Sequence, residues 1–384
     1  MSFTFIHSGD FHVEEDHYFS DTARCVNWLI DDGIEHQTQL FVLNGDLTTY
    51  KQTIQERRFW VDGIIRMADH APVLLVARNH GKGQERDLYP LFRVKGRHSI
   101  LLCTEPEFIE LDQAAIAVFP YPRKADFVSG NSSAGLAEAF GAKLEEFNEK
   151  FDERSGAYRL FFGHFGVAGT RISSGQPLAG RCAEFPLEPL RDLRAQYVGL
   201  SHIHLRQQLA PRVWYAGSLS RCDYSDEEAK GYHLVTLNRP DLKADLSDIT
   251  VTFRESPTRA MTVLKARYEN GEFRFATPPD PEQLKDARVK VVVTLPSELH
   301  SALSRDEQER LKAQLLAASP GELKVKIEHE TDEAVDIASL TQARSAADKL
   351  RAYWALRGVP EAAIQERLLA KLAELETAAV AERA

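Results

Sequence analysis

A chain of 384 residues with 43% hydrophobic, 9% aromatic and 27% charged side chains is long enough for two or three domains and too apolar for wholesale disorder. Its formal net charge of −10 excludes a surface coated for nucleic-acid binding, while leaving room for a local basic track. No apolar run approaches the roughly 18–20 residues that span a bilayer, Met1 leads into Phe3-Thr4-Phe5-Ile6 without a basic leader, and Cys25, Cys103, Cys182 and Cys222 include no CxxC pair; the expectation is a soluble cytoplasmic protein.

Phe3–Ile6 reads as a short strand. Ser20 is placed to cap a helix that carries Val26, Leu29 and Ile30 and stops at Gly33. Leu40–Leu43 reads as a second strand, and the spacing of Ile54, Ile64, Ile65 and Met67 predicts a helix from Thr53 to Met67. Val73–Val76, Ile100–Leu102, Ile116–Phe119, Leu160–Phe162 and Tyr197–Leu200 read as further strands. Many strands with intervening helices predict a mixed αβ domain over residues 1–245. A second unit, residues 246–335, opens near the strand-like Ile249–Phe253 and is punctuated by Pro257, Pro278, Pro279 and Pro281. It continues as a strand over Val289–Leu295, a helix opened by the capping box Ser304-Arg305-Asp306-Glu307 and running through Leu316, and a strand over Leu323–Ile327. Residues 336–384 are rich in alanine and hold no β-rich run. Leu350, Tyr353, Trp354 and Arg357 share one helical face, Gly358 supplies a stop and Pro360 a start, and Ile364, Leu368, Leu372 and Leu375 make a second apolar stripe. This helical end either folds back on the body or docks on another protein.

Five segments carry chemistry, each following a predicted strand: Asp10-Phe11-His12, Gly45-Asp46, Asn79-His80, Gly163-His164 and Ser201-His202-Ile203-His204. In αβ folds, ligand residues gather at strand ends. Singly, a histidine is usually a core or surface residue and a Gly-Asp usually a turn; the five together are hard to explain as turns. Their oxygen and imidazole donors, without thiolate, suit a pair of divalent first-row ions, with Mn²⁺ favoured, Fe and Zn as alternatives, and Mg preferring fewer imidazoles. Two such ions about 3.5–4 Å apart can share a carboxylate, lower the pKa of a water and neutralise charge during in-line attack on a phosphoester.

The order DxH, GD, NH, GH, HxH resembles the calcineurin-like metallophosphoesterases. That resemblance implies an α/β fold: a four-layer αββα sandwich with a small β-α-β capping domain and a C-terminal helix pair. It implies one metal on Asp10, His12, Asp46 and His204, a second on Asp46, Asn79, His164 and His202 with Asp46 bridging, and His80 as the catalytic histidine that protonates or stabilises the leaving oxygen. The protein phosphatases of that superfamily carry an Asp-Arg-Gly after their GD, whereas this chain reads Gly45-Asp46-Leu47-Thr48-Thr49-Tyr50. Tyr215-Ala216-Gly217-Ser218-Leu219-Ser220-Arg221, followed by Glu227-Glu228-Ala229-Lys230-Gly231-Tyr232 and taken with the opening His7-Ser8-Gly9-Asp10-Phe11-His12, is similar to the SbcD-like DNA exonucleases.

The narrower resemblance implies a Mn-dependent exonuclease and endonuclease subunit in DNA repair, recombination or replication, acting on double- or single-stranded DNA ends. Residues 246–335 would be its DNA-binding capping domain. Residues 336–384 would dock on an SbcC-like ABC-type ATPase through Leu350, Tyr353, Trp354, Ile364, Leu368 and Leu372. A homodimer is implied as well, with Trp60–Met67 either its face or part of the chain's own core. Arg78, Lys82 and Arg86 around the Asn79-His80 motif, Arg123-Lys124, and Arg206 are candidate contacts to the DNA backbone, against the plainer reading of solvated loop cations. The chain departs from the family at Arg78-Asn79-His80-Gly81, where the family has Gly-Asn-His-Asp, and at Ser201, where it has Gly. Two alternatives stay open: a DNA-end-binding scaffold with weakened catalysis, and a phosphodiesterase for small nucleotides.

Overall fold

The computed structural model describes residues 2–15, 18–50, 52–77, 96–122, 133–154, 156–173, 184–240, 246–269, 272–277, 280–284, 286–296, 323–330, 345–357 and 364–372. In chain order the elements are β1 (Phe3–Ser8), α1 (Phe19–Glu35), β2 (Leu40–Asn44), α2 (Ile54–His70), β3 (Val73–Val76), β4 (Ile100–Cys103), β5 (Glu107–Glu110), β6 (Ala114–Phe119), α3 (Ser133–Glu153), β7 (Tyr158–His164), β8 (Gly166–Val167), β9 (Glu184–Phe185) and α4 (Glu188–Arg191). They continue as β10 (Tyr197–Ser201), β11 (Gln207–Ala210), β12 (Val213–Tyr215), β13 (Gly231–Leu237), β14 (Ile249–Glu255), β15 (Met261–Glu269), β16 (Glu272–Phe275), α5 (Pro281–Leu284), β17 (Arg288–Pro296), β18 (Leu323–Glu330) and α6 (Ala346–Arg357). Residues 364–372 are also helical.

Two six-stranded sheets face each other, in the orders β14-β13-β1-β2-β3-β4 and β11-β12-β10-β7-β6-β5. In the first, β1 to β4 are parallel and β13 and β14 add antiparallel at one side; in the second, β12, β10, β7 and β6 are parallel and the two edge strands, β11 and β5, antiparallel. Parallel strands buried on both faces need continuous apolar runs, and Leu40–Val42 and Ala114–Phe119 supply them. The period of two sorts these residues between layers. Phe3, Phe5, Leu40, Val42 and Leu74 pack between the sheets against Ile116, Val118, Leu160 and Phe162. Ile6, Phe41, Leu43 and Leu75 face α1 and α2 through Val26, Leu29, Ile30, Trp60, Ile64 and Met67. On the far side Ala117, Phe119 and Phe161 pack against Phe140, Leu144, Phe147 and Phe151 of α3. The result is the four-layer αββα sandwich expected from the sequence.

Local differences have physical causes. Ser20 lies inside α1; the cap is Tyr18, in left-handed backbone at φ 66° with no side-chain capping bond. Gly33 does not stop that helix, which runs to Glu35, because it serves packing: a Cβ there would come within 2.6 Å of Ile6 and Phe41. α2 starts as predicted, with Thr53 and Glu56 forming a reciprocal capping box. β14, within the segment 246–335, pairs along its whole length with β13 and so completes the first sheet. Trp60, Ile64 and Met67 are buried in the chain's own core.

Two compact units divide the chain, one made of Met1–Leu264, Pro279–Val291 and Leu315–Lys324, the other of Lys265–Pro278, Val292–Gln314 and Val325–Ala384. The predicted strands over Val289–Leu295 and Leu323–Ile327 are β17 and β18, in a four-stranded sheet of order β16-β15-β17-β18. The helix predicted from Ser304 to Leu316 lies outside the described residues. In α6, Ser345 accepts the backbone N–H of Asp348 at 3.0 Å and donates to its carboxylate at 2.6 Å. Trp354 is buried and Tyr353 exposed. Among the described residues no helix is long and apolar enough to cross a membrane.

Candidate metal centre

Each described motif sits where a strand of the sandwich ends. Asp10 and His12 follow β1, Asp46 follows β2, His164 is the last residue of β7, and His202 and His204 follow β10. The backbone leaves the strands sharply: φ is 51° at Asp10, 48° at His12, 49° at Asp46 and 94° at His202. Left-handed backbone at such residues costs of order 1–3 kcal/mol each and persists only where surrounding bonds over-determine it. Those bonds are present. The N–H groups of Phe11 and His12 both donate to the Asp46 carbonyl at 2.9 Å, and Val13 N–H donates to Leu47 at 3.0 Å. Gly45 (φ 82°) is required at the turn between, since a Cβ would stand 2.1 Å from His164 Nδ1.

The side chains converge. Ligand atoms of Asp10, His12 and His204 lie within 4.8 Å of one another, as do those of Asp10, Asp46 and His164. Asp46 Oδ2 is 3.6 Å from His12 Nε2 and also 3.6 Å from His164 Nε2, so one carboxylate oxygen stands between the two groups. His12 Nε2 faces His204 Nε2 at 3.0 Å. Thr49 Oγ1 lies 3.4 Å from His12 Nδ1. His164 Nδ1 is 3.0 Å from the Asn44 carbonyl, which can only accept, so Nδ1 carries a proton and Nε2 is the ring nitrogen that faces Asp46. The N–H of His202 donates to both oxygens of Asp10, at 3.2 and 3.0 Å. The His202 ring lies outside both donor groups, 5.4 Å from the rings of His164 and Tyr121.

The electrostatics suit a cation. Burial pushes the fully buried Asp10 carboxyl up, against the pull of His164 and His204. Burial works to lower His164, but the Asp46 and Asp10 carboxylates and the Asn44 carbonyl together outweigh it, and the net direction is up. Buried carboxylates beside histidines lack positive charge, a deficit that a divalent ion relieves. Oxygen and imidazole donors together fit a first-row ion; the residues present can hold one or two.

Of the other candidates, Arg206 is exposed with its guanidinium 4.1 Å above the Phe253 ring. Asn79, His80, Arg78, Lys82, Arg86, Arg123 and Lys124 lie outside the described residues. Three participants were not singled out in the sequence. Asn44 holds His164 through its carbonyl, while its side chain donates to the carbonyls of Gly163 and Gly199 at 3.1 and 3.2 Å. Its signal was an amide ending the apolar run Leu40–Leu43. Tyr121 packs edge-on to His202. Lys230 reaches the His204 carbonyl at 3.1 Å.

No family model matches the chain, and no curated protein matches it. Among solved structures, GAP50, the anchor in the inner membrane complex of Plasmodium, is similar over 84% of this chain and 96% of its own at 11% identity and a TM-score of 0.45. The purple acid phosphatase PPD1 from yellow lupin is similar over 66% of this chain and 53% of its own, at 12% identity and a TM-score of 0.39. A dimetal phosphatase from Danio rerio is similar over 65% of this chain and 98% of its own, at 11% identity and a TM-score of 0.36. Likeness at this level is loose, and the reading of the centre rests on its own residues.

Proposed function

We propose that this chain is a divalent-metal-dependent phosphodiesterase of the calcineurin-like metallophosphoesterase superfamily, and that its substrate is DNA, cut at ends by exonuclease and endonuclease action. The observation that carries the reading is Asp46 Oδ2, 3.6 Å from a ring nitrogen on either side, with Asp10 common to both donor groups. On this reading Asp10, His12, Asp46 and His204 hold one ion, and Asp46, His164 and His202, with Asn79, hold the other; Mn²⁺ is the ion proposed, with Fe, Zn and Mg as alternatives. When bound, such a pair supplies charge neutralisation at the phosphoryl oxygens and a lowered pKa for the attacking water.

The chain's own groups keep the donors ready. Asn44 sets the tautomer of His164, the His202 N–H orients Asp10, and the Asp46 carbonyl pins the Asp10–His12 turn. His80 is the proposed proton donor to the leaving oxygen. The DNA half of the reading is supported by the Tyr215–Arg221 and Glu227–Tyr232 segments, which are similar to those of SbcD-like exonucleases. An SbcC-like ABC-type ATPase is the proposed partner, and a homodimer the proposed assembly. Ile364 and Leu368, 45% and 44% exposed four residues apart on one helix, support partner docking at that end.

The test is cleavage of linear duplex DNA by the full chain in Mn²⁺ beside an Asp46→Ala control. Activity that the control lacks is expected. Equal activity in both would refute the assignment of Asp46, and no activity in either, even with the ATPase added, would leave the scaffold reading in its place.

A further inference from the structure

Among the described residues a third group of ligand-type side chains meets beside the centre. A ring nitrogen of His204, the thiol of half-buried Cys222 and a carboxylate oxygen of Asp226 lie within 4.8 Å of one another. His204 is thus common to this group and to the one formed with Asp10 and His12.

The third group already holds a cation, and the cation is protein. Lys230, 2% exposed, places Nζ 3.0 Å from Asp226 Oδ1 and 2.6 Å from Glu228 Oε1, and donates to the His204 carbonyl at 3.1 Å. Those three acceptors match the three donors of an ammonium. The other oxygen of Asp226 accepts the N–H groups of Cys222 and Asp223, at 2.9 and 3.2 Å, so both carboxylate oxygens are engaged. Arg221 fixes the acceptors from behind, donating to the carbonyls of Asp226 and Glu228 at 3.0 and 3.2 Å. The His204 carbonyl takes a second bond from the N–H of Ser218 at 3.1 Å, and Ser218 is itself bridged to Gly9, the neighbour of Asp10.

We propose that Lys230 is a positioning residue acting as a built-in cation: it holds His204 on the side of Asp10 and His12, and by occupying Asp226 it closes the His204–Cys222–Asp226 group to metal. The inference rests on the reading of His204 as a metal ligand. Its physical basis is competition for one imidazole. With the ammonium gone, nitrogen, sulfur and carboxylate donors stand together, a set that suits Zn²⁺ and softer ions. Binding there would release the thiol proton to solvent.

The test uses the full chain, with calorimetric Mn²⁺ binding and the ultraviolet charge-transfer band of cadmium bound to thiolate as separate readouts. In Lys230→Met, Mn²⁺ affinity should fall about 10–100-fold, as for loss of a group that orients a ligand. The same variant should gain a cadmium–thiolate band that vanishes when Cys222→Ser is added. Lys230→Arg, which keeps the charge, should show no band and retain most of the Mn²⁺ affinity. Should Lys230→Met fail to fold, Lys230→Met/Asp226→Asn removes the buried charge of Asp226 and leaves only the partly exposed Glu228 without its ammonium, and its Mn²⁺ affinity should still fall. A folded Lys230→Met that binds Mn²⁺ like wild type without a band would overturn the proposal, as would a wild-type chain that shows the band. Wild type that binds no Mn²⁺ would count against the metal reading itself, whereas the Cys222-dependent band tests closure independently.

Discussion

The layer between the two sheets changes character along its length. Toward the strand starts it is built from Phe3, Phe5, Leu40, Val42, Leu160 and Phe162. Toward the strand ends the same inward positions become His7 on β1 and Asn44 on β2, both fully buried. There His7 Nδ1 lies 2.9 Å from the Tyr197 hydroxyl, that hydroxyl 3.2 Å from His233 Nδ1, and Asn44 Nδ2 3.3 Å from His7 Nε2. The apolar stretch is non-directional and supplies stability. The polar stretch is directional, and through Asn44 it bonds to the carbonyl of Gly163 and meets His164 Nδ1.

The two stretches should lose different properties on substitution. Phe162→Ala should cost about 3–5 kcal/mol in urea unfolding and leave Mn²⁺ affinity of the folded protein unchanged; a large affinity loss would erase the distinction. Asn44→Ala keeps the backbone carbonyl that meets His164 Nδ1 but removes the side-chain bonds to the Gly163 and Gly199 carbonyls, at a cost of about 1–3 kcal/mol; acting through Gly163, the neighbour of His164, it should lower Mn²⁺ affinity about 10–100-fold. Loss of stability alone would make Asn44 a filler like its apolar neighbours.

Acid should act on the polar stretch. Burial and the neighbouring His233 hold His7 below its usual 6.5, and burial with Arg206 takes His233 down to about 3. An unfolded chain protonates both near 6.5, so below that pH the unfolded state binds more protons. Stability should therefore fall as pH drops from about 6.5 toward 3, with a slope of up to about 1.4 kcal/mol per pH unit for each histidine. Unfolding midpoints measured across that window check it, and His233→Gln should flatten the slope. The smallest effect is expected far from this layer: Thr53→Ala removes the capping box of α2 and should cost about 1 kcal/mol without changing metal affinity.

Much of the sandwich was legible because its strands are apolar runs and its helices keep a 3.6-residue stripe. β14 was harder to place, since its partner β13 is chosen by pairing that its own residues do not encode. The β15–β16 hairpin had a readable signal in Asn270-Gly271 between Met261–Glu269 and Glu272–Phe275. The donors themselves could be read, because Asp and His directly after apolar strands are conspicuous. What holds them was harder to read: the amide of Asn44 at the end of an apolar run marks a buried polar side chain but not its partners, and Lys230 acts on the carbonyl of His204, a distant bond that residue type does not show.

In the proposed centre Asp46 stands between two metal positions. Anomalous diffraction from crystals of the chain soaked in Mn²⁺ tests it most directly. Peaks are expected on both sides of Asp46, one against Asp10, His12 and His204 and the other against His164. A single peak remote from Asp46, or one seated in the His204–Cys222–Asp226 group while the centre stays empty, would contradict it.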